Sequence, residues 1–73
     1  MFNVVYHDNI GPHDFVQSFN YEDDAVCFAE DDAESLAESW RKDGIQAEIW
    51  KWAERVEVWE LGGDRYAEYV FAW

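Results

Sequence analysis

Between residues 20 and 44 the apolar and acidic side chains of this 73-residue chain fall on two separate arcs of a helical wheel, and the segments on either side read as strands. At about 100° per residue, Ala25, Val26, Ala29, Ala33, Leu36, Ala37 and Trp40 share one arc. Asp23, Asp24, Glu30, Asp31, Glu34 and Glu38 share another. Such a helix has a face of mostly small residues for close packing on a sheet and a nearly pure carboxylate face turned outward. Its ends are marked as well. Asn20 is the expected N-cap, with Asp23 at the third position of a loose capping box. Glu22, Asp23 and Asp24 complement the dipole at the start, Arg41 and Lys42 at the end, and Gly44 suits the left-handed position beyond.

Residues 2–7 read as a strand with Phe2, Val4 and Tyr6 on one side, and residues 8–12 as a turn by their Asn, Gly and Pro content. Residues 13–19 form the second strand of a hairpin. After the helix, residues 45–52 alternate, with Ile45, Ala47 and Ile49 opposite Glu48, Trp50 and Trp52. Residues 55–61 follow, then a hairpin at Leu61-Gly62-Gly63-Asp64-Arg65, then a last strand over residues 66–73. The expected fold is one α+β domain, β-β-α-β-β-β, with an amphipathic helix on an antiparallel or mixed sheet.

One helix covers one face of a sheet, which leaves aromatic residues over. Trp50, Trp52, Trp59, Tyr66, Tyr69, Phe71 and Trp73 cannot all point toward the helix. Trp50, Trp52, Trp59, Tyr69, Phe71 and Trp73 are the candidates for an open apolar face, and an apolar patch on so small a domain marks an interface, with a homodimer as the first expectation. Fourteen of the 73 residues are aromatic, which argues for a folded chain despite its charge.

The charge is unevenly spread. Residues 1–40 hold ten Asp or Glu and no Lys or Arg, and residues 41–73 hold seven acids and all five bases. A net charge of −12 argues against direct binding of nucleic acid or of anionic membranes. No apolar run is long enough for a membrane span, no basic start precedes an apolar signal core, and the single cysteine leaves no internal disulfide, so the expected location is the cytoplasm.

Catalytic patterns are absent. Gly62-Gly63 has no following helix to make a phosphate loop, and no Ser/His/Asp arrangement stands out. Cys27 falls within the acidic arc, without the electropositive surroundings that make a thiol reactive. His7-Asp8 and His13-Asp14 flank the first turn and contain acceptable metal ligands, but polar turn residues are the default for such a set, and neither a metal nor another cofactor is expected. The chain reads as a non-enzymatic protein.

The carboxylate arc is the candidate site. Acids three or four apart repeat every 5–6 Å or so along a helix, a spacing that approximates a row of phosphates on one DNA strand. Asp8, Asp14 and Asp32 extend the row. A helix selected for stability alone would mix signs, since like charges at i,i+4 destabilise. A basic groove of a nucleic-acid-binding protein is the matching partner. The competing explanations are charge kept for solubility around an assembly module, and adaptation to salt. In size, charge and lack of catalytic residues, the whole chain resembles the small acidic inhibitors encoded by phages and mobile elements, among them anti-restriction and anti-CRISPR proteins that imitate DNA. The resemblance is one of class, without a family motif. It implies a non-enzymatic competitor whose affinity is largely electrostatic.

Overall fold

The computed structural model describes residues 1–11 and 13–73; Pro12, the last residue of the expected first turn, lies outside them. The elements are β1 (Phe2–Asp8), β2 (Phe15–Phe19), α1 (Glu22–Lys42), β3 (Ala47–Lys51), β4 (Arg55–Glu60) and β5 (Tyr66–Ala72). The strands form one sheet in the order β2-β1-β5-β4-β3, every neighbouring pair antiparallel, with the helix packed on one side. The fold is α+β.

The register decides which side chains meet the helix, because residues directly opposite in an antiparallel pair share a face. Tyr6 stands opposite Phe15 on one side and Tyr69 on the other, Tyr69 opposite Val56, and Val58 opposite both Ala67 and Ile49. Val4, Val56, Val58, Ala67 and Tyr69 are buried beneath the helix. The helix meets them with Ala25, Ala29, Ala33 and Ala37, one per turn, all fully buried, and closes the end of the core with Trp40. Bulk is supplied by the sheet and proximity by the alanines. Burying each valine is worth about 1.5–3 kcal/mol.

The helix ends on a Schellman arrangement. The Ile45 N–H donates to the Trp40 carbonyl at 2.9 Å, and the Gly44 N–H to the Arg41 carbonyl at 3.0 Å. Gly44 sits at φ +85°, where a side chain would be strained. The start differs from expectation. Tyr21, extended at φ −127° and ψ 141°, is the N-cap, and its side chain makes no capping hydrogen bond. Asn20 lies one residue too early, so Glu22, Asp23 and Asp24 act on the free N–H groups through charge alone.

The aromatic surplus divides differently from the sequence expectation. Tyr69 is fully buried and Phe71 packs against the core, both on the helix side. Trp73 stacks on Phe71 with ring centroids 5.0 Å apart and meets the edge of Phe2 at 5.2 Å. These three residues are therefore removed from the open face. The cause is the register of β5, whose Ala67, Tyr69 and Phe71 align with Asp8, Tyr6 and Val4. Trp50, Trp52 and Trp59 stand on the open side, joined by Tyr66.

Candidate functional site: an acidic helix face

Asp23, Asp24, Asp31, Glu34 and Glu38 are exposed along α1, and Glu30 is half-buried. Glu30, Glu34 and Glu38 succeed one another at single-turn spacing, about 6 Å apart. Among the described residues, the one ion pair to any of these six is Glu34 with Lys51, at 4.0 Å. Both of its members are about half exposed, so the pair contributes little. The row lies on the side of the helix away from the buried alanines, and among the described residues its negative charge is left almost uncompensated.

The three acids expected to extend the row have separate fates. Asp14 is exposed and lies 2.9 Å from His7 Nδ1. Asp32 is half-buried, and its Oδ2 accepts the Tyr69 hydroxyl at 2.6 Å, so it ties helix to sheet. Asp8 is only 5% exposed and is withdrawn from any partner surface. It accepts the Tyr6 hydroxyl at 2.7 Å and the N–H groups of Ile10 and Gly11 at 3.2 Å, shaping the turn after β1. Burial pushes the Asp8 carboxyl up, but these bonds and nearby His13 outweigh it and hold the group below its ordinary value. His13 Nδ1 is 3.5 Å from Asp8. The two histidines thus join two separate carboxylates, and among the described residues no three His, Cys, Asp or Glu side chains group as a metal site.

The open sheet face carries a second polar centre that the sequence pattern did not reveal. Glu57 is 6% exposed although it points away from the helix. It accepts Arg55 Nε at 2.7 Å and Trp59 Nε1 at 2.9 Å, with the Tyr66 hydroxyl at 3.2 Å. Burial pushes its carboxyl up, and the bonds from Arg55, Trp59 and Tyr66 bring it below the usual range. The i,i+2 spacing of Arg55, Glu57 and Trp59 on one strand face was the available sign; that Tyr66 would join them depends on the β4–β5 register.

Among the described residues, no helix is long and apolar enough to cross a membrane. Comparison of the chain with protein-family models, with curated proteins and with solved structures returns no match.

Proposed function

We propose that the chain is a non-enzymatic binding protein whose acidic helix face occupies a basic, nucleic-acid-binding groove of a partner protein, an inhibitor by DNA mimicry of the anti-restriction or anti-CRISPR type. The observation that carries this is the row Asp23, Asp24, Glu30, Asp31, Glu34 and Glu38 on one side of a firmly packed helix, with Lys51 near Glu34 as its one described ion-pair partner. A fixed row of anions needs no reorganisation to meet a fixed row of cations. Long-range attraction speeds encounter, and the affinity falls steeply with salt.

The test uses nucleic-acid-binding proteins of the restriction and CRISPR classes, each with its own duplex target. The chain should displace the duplex from a susceptible protein, and reversing Glu30, Asp31 and Glu34 to Lys should abolish displacement. Simultaneous binding of duplex and chain, or a triple variant as potent as the wild type, overturns the proposal.

A further inference from the structure

The open face of the sheet lies on the opposite side from the helix row, and its chemistry is different. Trp50, Trp52 and Trp59 are 46%, 38% and 39% exposed there. Carboxylates are set among them by the strand register. Trp50 stands directly opposite Glu57, and Trp59 directly opposite Glu48. On the next strand Glu68 stands opposite Glu57, and Tyr66 opposite Trp59. Two like charges in directly opposing positions repel. The Tyr66 hydroxyl lies 2.6 Å from Glu68 and 3.2 Å from Glu57, so a single phenolic proton serves both. Among the described residues the one base bonded within this group, Arg55, is also held by Glu54. The face therefore combines exposed aromatic rings with an excess of negative charge.

We infer that this face is a docking surface for arginine side chains of a cationic peptide segment in a partner protein. The molecule already contains one instance of the chemistry. The Arg55 guanidinium carbon lies 4.5 Å from the centroid of a Trp52 ring while its Nε bonds Glu57 at 2.7 Å. A ring beneath the cation and a carboxylate at its edge satisfy a guanidinium in both of its modes, stacking and directed hydrogen bonding. Trp59, directly opposite Glu48, and Trp50, two residues along β3 from Glu48, repeat the combination and are 39% and 46% exposed. Lysine is a poorer fit, because a compact ammonium neither stacks nor forks. A second copy of the chain is disfavoured by charge, since it would press two acidic faces together between molecules of net charge −12. Nucleic acid is repelled for the same reason.

The surface is separable from the helix row. In a background with Glu30 and Glu34 changed to Gln and Asp31 to Asn, blocked hexa-arginine and hexa-lysine peptides are titrated at about 0.15 M salt, with the indole and backbone amide N–H resonances as the readout. The arginine peptide should bind about tenfold more tightly than the lysine peptide, shifting the Trp50 and Trp59 signals. Trp50→Ala and the milder Glu48→Gln should each weaken it about fivefold at unchanged melting temperature. Equal affinity for the two peptides overturns the inference, as does a response confined to helix amides. A dimer in sedimentation that Trp50→Ala dissociates, on a face that takes no peptide, also overturns it and assigns the face to a second copy. None of these outcomes bears on the helix row, which is tested by charge reversal against duplex competition.

Discussion

The Tyr69 hydroxyl donates to Asp32 Oδ2 across 2.6 Å, and this bond pins the central strand of the sheet to the helix above it. Tyr69 is fully buried, so the bond forms at the edge of the core. Tyr69→Phe keeps the ring and removes the donor, leaving the half-buried carboxylate short of a partner. The expected loss is about 1–3 kcal/mol, read as a lower urea midpoint at unchanged slope. Burial first, then the bond to Asp32, pushes the Tyr69 hydroxyl well above the ordinary tyrosine value. The folded state thus holds its proton more tightly than the unfolded state. This contribution is complete below the ordinary tyrosine value and disappears as pH rises through the folded one. The alkaline limb of stability should be flatter in Tyr69→Phe than in the wild type; equal limbs refute the assignment.

Acid acts on a different pair. Asp8 and Glu57 are each held below their ordinary values of 3.8 and 4.5 by bonds that outweigh burial. In the window below those values the unfolded state binds more protons, so their stabilisation is full above it and is lost as pH falls through the folded values. Asp8→Asn and Glu57→Gln should therefore reduce stability at neutral pH and flatten the fall on acidification. Guanidinium unfolding from pH 7 to pH 3 or so measures both effects, and a variant that parallels the wild type throughout contradicts them.

The alanine row sets how closely the helix approaches. Ala29 and Ala33 are fully buried, and a larger side chain there must lift the helix or distort the strands. Ala29→Leu or Ala33→Leu should cost about 1–3 kcal/mol or more, measured by thermal melting. At exposed Ser35 the change to Leu should be nearly neutral.

Charge along the helix should cost stability. Glu34 has like charges one turn away on both sides, Glu30 and Glu38, and gives up only the 4.0 Å pair with Lys51 when neutralised. Glu34→Gln should raise stability by about 0.5 kcal/mol, and added salt should raise the melting temperature of the wild type more than that of the variant. If the same change weakens partner binding, stability and recognition have opposite signs at one residue.

The helix was legible because its two arcs differ in chemistry as well as in period: Ala25, Ala29, Ala33, Ala37 and Trp40 are buried as their spacing requires. The sides of β3 were legible for the same reason, since Glu48 and Trp50 alternate with Ala47 and Ile49. β5 was not. Tyr66, Ala67, Tyr69, Val70 and Phe71 place apolar residues on both faces, so period alone leaves its phase open. It is the central strand, flanked by β1 and β4, and that position comes from long-range pairing that local sequence does not encode. The burial of Asp8 and the tyrosine bond of Asp32 were not legible for a related reason. Their tyrosine partners are fixed by the β1 turn and by the meeting of sheet and helix.

The strand that occupies the middle of the sheet is also the last of the five along the chain. On the ribosome, the β1–β2 and β3–β4 hairpins leave the exit tunnel before the strand that joins them, and a lone hairpin is marginal in water. The nascent molecule must therefore carry two incomplete halves until residues 66–72 appear, when a single segment zips both together. Folding of the sheet thereby waits for residues 66–72, and a message cut short before Tyr66 yields protein that proteases can clear.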